Sequence, residues 1–409
     1  MSARPAHLGG YAAFAAVLSA AGLPIYIHAP KFYADSYGVG LAALGSVLFG
    51  LRLLDLVQDP AFGWLTERLR AVRGIAVGVA VAVMALGMIG LFAVTPPVAP
   101  ILWFALTLTA VFSAFSFLTI TFYARGVAKA ETLGEAGHLK LARWRETGGL
   151  LGVCVAAVLP TAFAALALPE FAGFALVFAL ACVTAWALMR REWAGDVSLG
   201  RAGFKVVLSD RITRRLLLVA LANAAPVAVT STLFLFFVDA RLDAPGWEGP
   251  FLLLFFLAAA AAAPGWGHLA ERVGPKRALL MGMVLSIAAF SGALALGSGD
   301  VWWFALVCVA SGAALGADMT LLPAIFAERM EKIAPSGSEG FSLWSFAQKF
   351  TLAFAAVALL PLLEAAGFRT AGENSARALW ALSLLYALVP CFLKLAALAL
   401  LARTELEGS

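Results

Sequence analysis

Arg52, Asp55 and Asp59 place three ionisable groups in the run Arg52-Leu-Leu-Asp55-Leu-Val-Gln-Asp59-Pro60, inside an otherwise apolar stretch. Their i, i+3, i+7 spacing puts all three on one face of a helix. At 1.5 Å per residue the two carboxylates stand about 6 Å apart along the axis. A charged side chain at membrane depth costs about 2.5–3.5 kcal/mol on insertion scales, so it is a functional candidate by default. Two acids that close in low dielectric cannot both stay bare; they require a proton, a metal cation or a basic partner. The pair therefore predicts a coupling site, with Asp55 and Asp59 as ligands if the cation is sodium. Pro60 frees a backbone carbonyl near Leu56, as a further oxygen ligand or as a bend.

Other polar groups lie deep in apolar runs. Lys349 is nine residues beyond Gly340, about 13 Å along a helix and too far in for easy snorkelling. Asp318 sits in Gly316-Ala-Asp318-Met-Thr320, with Pro323 loosening the helix after it. Lys394 lies eight residues before the end of the last run, within snorkelling reach of the interface, and is assigned a structural role. Without Lys394, Arg52 and Lys349 against Asp55, Asp59 and Asp318 leave one negative charge in excess, which one proton or monovalent cation balances. A static ion-pair lock is the alternative, but buried pairs stabilise weakly compared with apolar packing. Asn223, Ser116, Thr119 and Thr121 add uncharged polar groups, although Ser and Thr also bond back to their own helix. Tyr26, Tyr123 and Trp344 are interface or packing aromatics, or stacking platforms for a flat ligand.

These residues must be held by membrane-spanning helices. The 409-residue chain is 62% apolar and 13% charged, with mean hydropathy +0.92, against about 25% charged in soluble domains. Runs of about 20 apolar residues are needed to cross a bilayer core. Twelve occur, near 9–29, 40–65, 74–95, 99–124, 143–166, 168–190, 215–239, 249–270, 278–298, 301–327, 340–365 and 377–402. Met1 to His7 leads straight into the first and reads as part of a span, not a removed signal peptide. Most of the 29 Lys and Arg fall between spans on one side, which orients both termini to the cytoplasm and explains the +5 net charge without nucleic acid. The expected class is all-α: twelve transmembrane helices in two pseudo-symmetric halves, a bundle over 1–190, a cytoplasmic linker over 191–214 and a bundle over 215–409. Cys154, Cys182, Cys308 and Cys391 lie in apolar runs and read as small buried fillers. No nucleophile–base pair, metal cluster or phosphate loop argues for an enzyme or a cofactor, and His7, His28, His138 and His268 lie near span ends or loops.

The halves repeat a cytoplasmic turn. Gly63-Trp-Leu-Thr-Glu67-Arg68 follows the second span, and Gly265-Trp-Gly-His-Leu-Ala-Glu271-Arg272-Val-Gly274-Pro-Lys276-Arg277 follows the eighth. The second copy resembles the loop signature of the major facilitator superfamily, with Glu271 in place of the usual Asp. Glu67, Arg68, Glu271, Arg272, Lys276 and Arg277 are thereby gating candidates, an acid near a helix end pairing in one state and releasing in the other. Repeated halves suit alternating access around a midplane site.

Arg52 through Trp64 is similar to the helix-two motif Arg-x-x-Asp-x-x-x-Asp-Pro-x-x-Gly of the glycoside–pentoside–hexuronide:cation symporters, the melibiose permease family. Ser338-Glu-Gly340-Phe through Lys349 resembles that family's approach to helix eleven, and Gly316-Ala-Asp318 with Leu322-Pro323 a tenth-helix pattern. The resemblance implies that Asp55, Asp59, Lys349 and Arg52, with Ser116 as the fourth-helix hydroxyl, serve a proton or sodium ion. It implies a substrate site at Ser19 (or Ala20), Thr119, Tyr123, Asn223, Asp318 and Trp344. In melibiose permease acids in helices one and four hold the sugar hydroxyls; here Ser19 or Ala20 and Thr119 stand there. Asp318 is the candidate replacement. The expected function is cation-coupled symport of a small organic solute such as a sugar or glycoside, by a monomer in a bacterial inner membrane. Proton-driven efflux or lysolipid transport, and a non-transporting assembly factor, are the alternatives.

Overall fold

The computed structural model describes residues 8–134, 136–193, 203–334, 337–368 and 374–405. His7, linker residues 194–202 and the side chains of Tyr26 and Arg52 lie outside the described set. In chain order the helices are α1 (Gly9–Ala20), α2 (Leu23–Tyr37), α3 (Leu41–Arg68), α4 (Arg73–Phe92), α5 (Pro100–Glu131), α6 (Gly137–Ala165), α7 (Glu170–Trp193), α8 (Gly203–Ser209), α9 (Arg211–Phe236), α10 (Glu248–Val273), α11 (Pro275–Ala293), α12 (Val301–Ile333), α13 (Ser338–Ala365), α14 (Ala376–Ser383) and α15 (Val389–Ala402). Strands are absent among the described residues.

Nine helical stretches among the described residues are long and apolar enough to cross a membrane. The other three of the twelve expected spans map to α1–α2, α3 and α13. α3 and α13 are 28 residues each, long enough to cross a bilayer core, and carry the ionisable groups Arg52, Asp55 and Asp59 in one and Lys349 in the other. The first expected span is not one helix. It stops at Ala20 and restarts at Leu23, because Pro24 has no N–H to continue the ladder and sits in the first turn of α2.

The chain forms two compact units, residues 1–207 with 330–346, and residues 208–329 with 347–409. In the first, α1 lies along α6, and α4 packs on α5 and α7. The α1–α6 seam has no room for side chains: a Cβ on Gly148 would lie 2.3 Å from the Ala12 carbonyl oxygen, and one on Gly152 2.2 Å from that of Ala16. Small residues one turn apart let membrane helices approach at backbone distance, where dispersion replaces the missing hydrophobic drive. In the second unit α9 and α11 pack on α15, and π-helical turns at Phe237–Arg241 and Leu384–Leu388 bring Phe237 and Tyr386 into a stack at 4.2 Å. All four cysteines are free and buried.

Candidate functional site

In the first unit the site is a seam between α3 and α5. Asp59 is fully buried and Asp55 nearly so. Across the seam the buried Ser116 hydroxyl donates to Asp59 Oδ1. Ser113 Oγ donates to Gln58 Oε1 at 3.0 Å, and the hydroxyls of Thr66 and Thr121 bond at 3.0 Å. Matched residues rise together in number along both helices, so α3 and α5 run parallel and meet through a ladder of polar pairs. The arrangement offers a proton or a hard cation two carboxylates one turn apart and a hydroxyl, all oxygen donors. Among the described residues no three His, Cys, Asp or Glu side chains converge as a metal cluster.

Residues 330–346 pack as part of this unit. Ser338 Oγ donates to Glu67 Oε1 at 2.9 Å, and His138 pairs with Glu331. A Cβ on Gly63 would meet Ser342 Oγ at 2.5 Å. Of the gating candidates, Glu67 is thus buried at this contact, while the Arg68 guanidinium sits 4.0 Å over the Trp64 ring. In the second unit Lys276 Nζ donates to the carbonyls of Ala402 (3.2 Å) and Thr404 (2.7 Å), satisfying the last turn of α15. Glu271, Arg272 and Arg277 are exposed.

The remaining candidates divide between the units. Ser19 is half-buried on α1, its hydroxyl against Gly149. Thr119 Oγ1 is buried without a hydrogen-bond partner among the described residues. Trp344 is buried in the first unit. Tyr123 donates to Glu146 Oε1 at 3.0 Å, its ring 5.2 Å from that of Phe341. Lys349, Asp318 and Asn223 are buried in the second unit.

Two corrections follow. Lys394 does not reach for the interface: it is 1% exposed, donates to Asn223 Oδ1 at 2.6 Å and pairs with Asp318. A carboxylate buried on α12 is a stronger attractor than a distant interface, and α15 presents the lysine to α9. The charge count changes with it. Arg52, Lys349 and Lys394 now stand against Asp55, Asp59 and Asp318, so the excess negative charge disappears. The second correction is a pair that the sequence reading passed over. Arg145 Nε donates to Glu146 Oε1 at 2.6 Å, both residues are buried, and the Arg145 guanidinium lies 3.9 Å over the Tyr123 ring. The signal available was two adjacent opposite charges at the expected span boundary. Outside the spans, Asp210 caps α9 by accepting from the Thr213 N–H at 2.8 Å. Two hydrogen bonds from Arg329 hold its carboxylate down at about 2.

No curated protein matches the sequence. Among solved structures, the chain is similar to the crystal structure of a bacterial homologue of the iron transporter ferroportin in an outward-facing state, with a TM-score of 0.68 at 16% identity, covering 96% of this chain and 99% of that one. It is also similar to the E. coli fucose:proton symporter FucP, with a TM-score of 0.65 at 14% identity, covering 95% and 98%. At these identities the likeness shows the fold, that of the major facilitator transporters. A family model described as MFS/sugar transport protein matches residues 8–408, so the chain belongs to that family of membrane transporters and is not an enzyme.

Proposed function

We propose that the protein is a cation-coupled symporter of the glycoside–pentoside–hexuronide type, moving a small organic solute such as a sugar or glycoside by alternating access. The observation that carries this reading is Asp59, fully buried and hydrogen-bonded to Ser116, one turn from the buried Asp55. A scaffold gains nothing from two carboxylates in that position, because burial disfavours their charge unless a cation or proton answers it. A proton or sodium ion binds at these two carboxylates, and the family resemblance assigns Lys349 to the coupling machinery as well. In the second unit, Asp318 and Asn223, both bonded to Lys394, are the candidate groups for the solute's polar atoms; in the first, Thr119 and Tyr123 are candidates. The protein works as a monomer in a bacterial inner membrane with both termini cytoplasmic.

The test is solute counterflow and uptake in vesicles with sodium and pH gradients imposed separately, for wild type, Asp55→Cys and Asp59→Cys. Uptake driven by one gradient and abolished in both variants, with counterflow retained, supports symport. Solute movement independent of both gradients, or wild-type coupling in both variants, overturns it. Movement only outward against a proton gradient selects efflux instead.

A further inference from the structure

A second site lies on the outside of the first unit, away from the α3–α5 seam. A groove of about 610 Å³ runs between α4 and α7, two helices that are each long and apolar enough to span a membrane. Its floor on α4 is the one-turn ladder Gly74, Gly78, Ala82 and Ala85, small residues that leave a trough where larger ones would fill it. From Gly74 to Ala85 the trough is about 16 Å long, half of a hydrocarbon core of about 30 Å. It therefore matches the acyl region of one leaflet. Ile75 and Val79 on its rim are 70% and 58% exposed, which turns the groove toward lipid.

The polar groups at this groove are all donors. Trp186 and Trp193 line it from α7, and both indole N–H groups are buried without a partner among the described residues. The Trp186 Nε1 stands over Gly78, where an added Cβ would lie 3.5 Å away. Trp193 meets the groove through its Cβ, 3.9 Å from a Cβ on Gly74, while its 3%-exposed ring packs 5.2 Å from Phe14 of α1. Arg190 completes the set: it is exposed, lines the same end, and makes no ion pair among the described residues. The nearby carboxylate is turned away, since Glu192 accepts from Lys129 at 2.6 Å and from Tyr11 at 3.3 Å. A guanidinium and the unmet Trp186 N–H in an apolar trough call for an anion that carries a hydrocarbon chain.

We propose that this groove binds an anionic glycerophospholipid of the leaflet on the side of the basic loops, its phosphate at Arg190 and the Trp186 indole and one acyl chain running along the trough toward Ala82 and Ala85. The chemistry is that of basic pockets between membrane helices, which select anionic headgroups over neutral ones. It is independent of the coupling reading above.

The test uses the purified full-length protein, delipidated and then titrated with phosphatidylglycerol or phosphatidylcholine, with bound lipid read by native mass spectrometry. Wild type should retain one phosphatidylglycerol in preference to phosphatidylcholine. Arg190→Gln should weaken that retention about fivefold, the change that one basic residue near an anionic lipid surface produces. Gly78→Leu, or Ala82→Leu should that variant not fold, should weaken it by filling the trough with the charge intact. Arg191→Gln, one residue along the same helix end, should bind as wild type does. Equal retention of phosphatidylcholine, an unchanged Arg190→Gln, or equal loss in Arg191→Gln overturns the proposal, the last by reducing it to general surface charge. Displacement of the lipid by an equal concentration of glycerol phosphate also overturns it, because a soluble anion needs no acyl trough.

Discussion

Removing Lys394 should damage the second unit far more than removing it together with its partner. Lys394 is 1% exposed and Asp318 7%, and Asp318 Oδ1 has no hydrogen-bond partner among the described residues. The Lys394→Met side chain keeps the volume and deletes the charge, which strands a buried carboxylate without the lysine it pairs with. Loss of one member of a buried pair costs roughly 3–5 kcal/mol, whereas replacing both with apolar groups is neutral or stabilising. In a unit of this size that single loss lowers the unfolding midpoint by about 6–10 °C, at roughly 2 °C per kcal/mol. The assay is a double-mutant cycle in detergent: wild type, Lys394→Met, Asp318→Leu and the double variant, each followed by thermal unfolding and by solute counterflow. The double variant should recover most of the midpoint while remaining inactive in transport. If Lys394→Met melts with wild type, the pair is not made. If the double variant is as unstable as the sum of the singles, the two residues are uncoupled and the reasoning fails.

Three further outcomes follow from the geometry. Ser116→Ala removes a hydrogen bond to a charged group, worth about 1.5–3 kcal/mol, and should raise the coupling cation's half-saturation roughly tenfold to a hundredfold in gradient-driven uptake; an unchanged value would separate Ser116 from the site. Gly152→Val should lower the unfolding midpoint through overpacking of about 1–3 kcal/mol or more against Ala16, while Gly45→Ala, with nothing within 4 Å, should not lower it. Asp210 titrates at about 2, below its ordinary value of 3.8, so the stability it gains from Arg329 is complete above the unfolded value and disappears as pH falls through about 2. Asp210→Asn should therefore flatten any loss of stability between pH 4 and pH 2, measured by acid unfolding, and a wild-type acid limb in that variant would count against the assignment.

The acids of α3 were legible because a charge in an apolar run stands out against its neighbours and period 3.6 places it on a face. Ser116 required the family likeness, since nothing in a lone serine distinguishes a ligand from a helix-bonded hydroxyl. Lys394 was misread for a physical reason. Membrane helices are apolar nearly all round, so hydropathy does not reveal which side of α15 meets α9. Arg145 and Glu146 were missed because α6 begins at Gly137, six residues before the apolar run at 143 suggests. They consequently lie more than two turns inside the helix and not at its edge. The first span was expected as one helix because its composition is apolar throughout, and the signal for the break at Ala21–Gly22, Pro24 just after it, went unused.

The inward turn of Lys394 has an electrical meaning. With it counted, the formal charges at Arg52, Asp55, Asp59, Asp318, Lys349 and Lys394 sum to zero, so the unloaded protein carries no net charge at these six positions through the bilayer. One bound cation then makes the loaded form positive by one unit with a neutral solute. If the protein is the cation symporter proposed above, a membrane potential would then do work on the loaded step, about 2.3 kcal/mol per 100 mV for a full crossing, and not on the return of the empty form. On that reading, the lysine that looked like an anchor would set which half of the cycle feels voltage.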